Sequence, residues 1–244
     1  MVTEKTKQSR LPITQDKMVE TLDWMYEKTV SGIPGQKSVD ELAADYLEKY
    51  DEETAITKLI QFQTAKAAVS GFVTGFGGVL TLPVALPANI TSVLLFQMRM
   101  IAVIAKIRGY DLRNDQVQTV IYTTLVGTSV ADLIKKSGIE FTNKLANGVV
   151  KKVPGTVLVK INQKVGFRFV TKFGQKGIVN LGKLVPVVGA SFGGGIDYWT
   201  TKKIAMIAQN TFLNDGVALG NGIVLPKAIN SVAEGSQLIS DKIK

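Results

Sequence analysis

The chain has 244 residues and contains neither cysteine nor histidine. That excludes disulfides, thiolate and imidazole metal sites, and catalysis that uses a histidine general base. A net charge of +9 and a mean hydropathy of +0.17 place it between an ordinary soluble protein and a polytopic membrane protein.

Residues 1–12 read as a polar tail of mixed charge. They have no apolar core of a secretory signal, so a cytosolic start is expected. A helix is predicted from about Gln15 to Val30, with Met18, Leu22, Met25 and Tyr26 on one face. SGIPG stops it. Ser38-Val-Asp-Glu41 has the form of a capping box and opens a second helix with Leu42, Tyr46, Leu47 and Tyr50 on one stripe. Asp51 is placed to cap a third, which begins near Glu53 and climbs into an uncharged run.

That run fills residues 67–98, the whole gap between Lys66 and Arg99. It is split by Pro83 and Pro87, because residues before proline avoid the α region. Two helices around a kinked loop are expected, the second running from about Pro87 or Asn89 to Arg108 and ending at Gly109. Asn114 or Asp111 caps the next, a helix of about twenty residues over QVQTVIYTTLVGTSVADLIKK that stops at Gly138. Further helices are predicted over 139–151, 156–173 and 188–213, with one or two amphipathic turns in the tail. No period of two persists, so the fold class is all-α. The expected architecture is a single compact multi-helix domain around a Gly-rich, Pro-kinked central hairpin. Residues 1–37 form a tail and accessory helix, 38–213 the main domain and 214–244 a C-terminal tail.

The glycine clusters admit three readings. A phosphate loop needs a Gly-Lys-Ser/Thr or Gly-x-Gly-x-x-Gly pattern, and neither occurs, so no nucleotide, other cofactor or metal is expected. Close helix packing is the second: Gly71/Gly75, with Gly78 beyond, and Gly189/Gly193 have the spacing of flat strips that let another backbone approach. The third is membrane contact. The run exceeds the roughly 20 residues needed to span a bilayer, but a straight span through two prolines leaves backbone groups unpaired in lipid. A core pair or shallow interface is favoured over a span, with hairpin insertion as the alternative. Arg99, Asp132 and Asp197 lie within apolar helices. Because a buried charge needs a partner, an Arg99 pair with Asp197 or Asp132 is expected.

The positive charge is concentrated. Residues 135–183 hold 11 Lys/Arg against one Asp/Glu, whereas residues 1–66 hold 9 against 12. Lys160, Lys164, Arg168, Lys172 and Lys176 recur every four residues, with Lys151 and Lys152 just before them. Leu158, Ile161, Val165, Phe169 and Phe173 form an apolar ridge beside this basic one. A solvated face usually mixes signs, so the near absence of acids points to a polyanionic partner. An anionic lipid surface suits a basic amphipathic helix. Nucleic acid is not the expected partner, since no stacking platform or recognition fold is legible.

Three segments together resemble the EcsC family of bacterial proteins: TGFGGVLTLPVALPANITSVLLFQMRMIAVIAKIRGYDL, the upstream SVDELAADYLEKYDEETAITKLIQFQ, and LVPVVGASFGGGIDYWTTKKIAMIAQNTF downstream. The resemblance covers roughly 38–213. It implies a helical, often membrane-associated protein, with a transporter component as a conceivable partner, and carries over no catalytic residue.

The expected function is therefore non-enzymatic: peripheral binding to anionic lipid at the inner face of the membrane, with an apolar cavity able to accept a lipid tail. The alternatives are a soluble adaptor for a membrane transporter component, and a hydrolase-like enzyme using Asp197, Tyr198 and Lys202.

Overall fold

A computed structural model describes residues 14–32, 36–68, 86, 88–136, 153–173, 191–220 and 223–227. The helices begin where short polar side chains satisfy the free N–H groups of the first turn. Thr14 caps α1 (Gln15–Ser31), and Ser38 with Glu41 forms the complete capping box of α2 (Val39–Leu47). Asp51 accepts from the Thr54 N–H at the head of α3 (Glu52–Ala68).

Then come α4 (Ala88–Ile107) and, capped by Asn114, α5 (Asp115–Leu125). Gly109 ends α4 with φ of 72°. The single twenty-residue helix expected after Asn114 is two. Gly127 adopts φ of 79°, which ends α5, and Ser129 accepts from the Asp132 N–H to start α6 (Val130–Lys136). Local capping there outweighs the continuous apolar period. The chain continues through α7 (Gly155–Phe173) and α8 (Ser191–Thr211).

The fold is all-α with one small addition. β1 (Gly216–Gly220) and β2 (Ile223–Pro226) form an antiparallel hairpin where the sequence suggested only helical turns. The hairpin packs β1 against α6 and α8, burying Val217, Leu219 and Leu225.

The most apolar helix, α4, is the axis of the core and touches α1, α2, α3, α5 and α8. Its window Ile90–Ile107 has a mean hydropathy of 1.7, long and apolar enough to cross a bilayer, yet 78% of that window is buried within the protein. Its apolar surface is thus largely covered by neighbouring helices. α1 joins the same core through Met18, Leu22, Met25 and Tyr26.

The glycine hairpin itself, including Gly71, Gly75, Gly78, Pro83 and Pro87, lies outside the described residues, as does Gly189. A close backbone approach does occur elsewhere. A Cβ on Gly166 of α7 would sit 2.8 Å from Val19 Cγ2 and 2.9 Å from the Gln15 carbonyl oxygen of α1.

Candidate functional site

The basic helix α7 is positioned by both its start and its apolar stripe. The Val153 N–H donates to Gln116 Oε1 of α5 at 2.7 Å, and the Pro154 carbonyl accepts from Val157 and Leu158 in the first turn. Leu158, Ile161, Val165 and Phe169 are buried, with α7 packed on α1, α5 and α6. The apolar ridge predicted beside the lysines is therefore consumed by the protein core.

What remains outside is a basic face with two exposed apolar side chains. Lys160, Gln163 and Lys164 are exposed, as are Val159 (56%) and Phe167 (54%). Residues four apart on a helix step round it by about 40°. The row consequently drifts from the exposed Lys160 and Lys164 to the half-buried Arg168. Lys172, one turn on, is exposed again, although neighbouring atoms desolvate its ammonium enough to push the pKa down, with the charge of Lys203 on α8 adding to the effect.

The ion pairs among the described residues are Lys37–Asp45, Lys106–Asp40, and Arg108 with Glu52 and Glu53. None of these involves Lys160, Lys164 or Arg168. The adjoining α1 exposes Asp16, Glu20 and Glu27, but no described ion pair crosses from them to α7. Lys151, Lys152 and Lys176 lie outside the described residues.

Arg99 is half-buried on α4. It donates to Gln36 Oε1 at 2.9 Å and to the Lys37 carbonyl oxygen. Burial pulls its pKa down, opposed by the nearby carboxylate of Glu41. Asp132 is exposed, and its backbone N–H is the Ser129-capped group of α6, so the expected Arg99–Asp132 pair is not among the described ion pairs. Gly193 and Asp197 lie in α8, but their surroundings are outside the described part. Of the enzyme-like trio, Tyr198 and Lys202 are exposed, and the Lys202 ammonium lies 5.9 Å from the centre of the Tyr198 ring.

The charge cluster with the most partners is one the sequence did not single out. Arg108, just past the end of α4, is 8% exposed. Its Nη1 donates to Glu52 Oε1 at 2.7 Å, Glu53 Oε1 at 2.6 Å and Asn214 Oδ1 at 2.7 Å. Its carbonyl accepts from the Lys227 ammonium, which also lies 5.1 Å from the Tyr110 ring centre. Glu53 is held below the usual carboxylate range chiefly by this hydrogen bond. One side chain thus joins the head of α3, the foot of α4 and the segment after α8. The only hint in sequence was a cation at a helix C-terminus, where the helix dipole favours it.

A polar contact also lies inside the α3, α4 and α8 packing. Gln97 of α4 donates to Thr201 of α8 at 3.2 Å, both buried. Gln63 of α3 is 5% exposed, and its Oε1 has no hydrogen-bond partner.

A model of the EcsC protein family matches residues 1–213. The match takes in the first 37 residues, which the sequence reading set apart from the main domain. No curated protein and no solved structure matches the chain.

Proposed function

The chain belongs to the EcsC protein family, and on that premise we propose that it is a peripheral membrane protein that binds anionic phospholipid through the outward face of α7. It acts by binding rather than by catalysis, at the cytoplasmic face of a membrane. The observation that carries this reading is the face itself. Lys160 and Lys164 are exposed and outside every described ion pair, on a helix without an acidic residue, with Val159 and Phe167 exposed beside them.

The mode differs from that of a helix lying in the interface on its apolar side. Here the apolar side holds the fold together, and the basic side meets the headgroups. Each Lys or Arg near an anionic surface is worth about 1 kcal/mol, and the attraction is screened within a Debye length. Phe167 and Val159 are short enough to reach only the boundary between headgroups and acyl chains. The apolar cavity expected between the glycine helices falls on segments outside the described residues and forms no part of the proposal.

Vesicle co-sedimentation tests it. The protein is expected to pellet with phosphatidylglycerol-containing vesicles and to be released by salt. The double variant Lys160→Gln/Lys164→Gln should lose affinity by roughly thirtyfold, the equivalent of about 2 kcal/mol. Equal binding to neutral and anionic vesicles, unmoved by that variant, would sink the reading.

A further inference from the structure

The exposed face of α8 carries a second set of features that the α7 face does not explain. Trp199 is 63% exposed, Met206 55% and Tyr198 39%. A single exposed apolar residue is ordinary, but these share one helix with Lys202 and Lys203 between them. Trp199, Lys203 and Met206 fall on one stripe by their spacing. The Lys203 ammonium lies 5.5 Å from the centre of the Trp199 ring, and that of Lys202 lies 5.9 Å from the Tyr198 ring.

The neighbouring helix presents the same chemistry. Arg108 ties Glu53, at the start of α3, to Asn214, just beyond the end of α8. The two packed helices therefore run antiparallel, and by their equal rise the second half of α3 lies alongside the middle of α8. That half exposes Phe62 (59%), with the exposed Lys58 one turn before it, and α3 has no acid after Glu53. The one acid of α8 is Asp197, immediately before Tyr198, and none follows it to Thr211. Exposed aromatic rings and lysine heads match the boundary layer of an anionic bilayer. There an amphipathic ring is buried at headgroup level while lysines reach phosphates.

We propose that Trp199 is an interfacial anchor that seats its ring in the headgroup layer of an anionic phospholipid bilayer, with Lys202 and Lys203 on the lipid phosphates. This rests on the membrane reading above and extends it to a second helix. The basic face of α7 would then steer the protein, and Trp199 would hold it.

The chain has two tryptophans, and Trp24 lies half-buried on α1, so Trp24→Phe leaves Trp199 as the only indole. The probe is a vesicle of phosphatidylcholine and phosphatidylglycerol with brominated acyl chains. Trp199 emission should shift to shorter wavelength on binding and be quenched by the bromines. In the otherwise native chain Trp199→Ser should weaken vesicle binding about tenfold, from the apolar area it no longer buries. Its melting temperature should not change, because the ring is exposed.

Protein that pellets with vesicles while Trp199 stays at its aqueous wavelength, open to acrylamide, overturns the anchor and leaves α7 docking standing. Quenched Trp199 in a Lys160→Gln/Lys164→Gln background that binds undiminished supports the anchor and overturns α7 docking. Failure to bind vesicles of either composition overturns both. An equal spectral shift on pure phosphatidylcholine overturns the role given to anionic phosphate.

Discussion

The Arg108 cluster and the outward face of α7 use the same charged groups to opposite ends. Arg108 is almost completely buried, its Nη1 donating to three oxygens from two distant segments while its buried Nε has no partner, and its neighbour Lys227 is latched onto its carbonyl. On α7, Lys160 and Lys164 stand exposed without a described ion pair, on a helix that has no acid. A cation whose desolvation is offset inside the molecule is part of the fold. A cation left unmatched on the surface adds little to the fold and remains free for a partner.

The sharpest way to break that contrast is to treat the two regions alike. Replacing Arg108 by Met strips both glutamates and Asn214 of their donor. Removing one member of a fully buried pair costs about 3–5 kcal/mol. Glu52 and Glu53 are partly exposed and can rehydrate, so about 2–3 kcal/mol is expected, measured by urea unfolding. A loss no larger than that of a surface lysine variant would remove the distinction.

Gly166→Ala tests whether α7 is held as rigidly as its buried stripe implies. The added methyl has no room against Val19 and the Gln15 carbonyl, so a loss of about 1–3 kcal/mol is expected in thermal unfolding. The Gln15 side of that contact is backbone and cannot rotate away.

Acid sharpens the contrast from the other direction. Glu53 has its folded pKa lowered from the ordinary glutamate value, mainly by Arg108. Its contribution is therefore present above the unfolded value and is lost as pH falls through the folded one. The stability gap between the native chain and Arg108→Met should accordingly narrow as pH drops below about 4. A gap independent of pH would mean that Arg108 acts through packing alone.

The smallest expected effect lies on α7. Lys160→Glu with Lys164→Glu should change folding stability by no more than about 0.5 kcal/mol while nearly abolishing vesicle binding. A large stability loss there would show that the basic face belongs to the fold after all.

Much of the local structure was readable in advance. Ser38, Asp51 and Asn114 sit at helix starts because their short side chains reach backbone N–H groups two or three residues on, and Thr14, not singled out in the sequence, does the same for α1. Gly109 ends α4 because only glycine takes a positive φ there without strain. At Gly127 and Ser129 the same capping chemistry prevails over a continuous apolar pattern that by itself points to one long helix. The α7 cations were legible as a row, but the half-burial of Arg168 needed the neighbouring helices.

By itself, the sequence determined an all-α chain without His or Cys chemistry, an acid-poor basic helix and a recognisable family. These follow from composition and from interactions within about one helical turn. Only the tertiary structure decided how these pieces are used. It buried the apolar ridge of α7, turned Arg99 toward Gln36 and the Lys37 carbonyl, and made Arg108 the joint between residues far apart in the chain. It also left Trp199 uncovered. The physical reason is that a helix's periodicity states which side is apolar or charged. Which neighbour covers that side depends on how distant helices pack, and no local pattern encodes it.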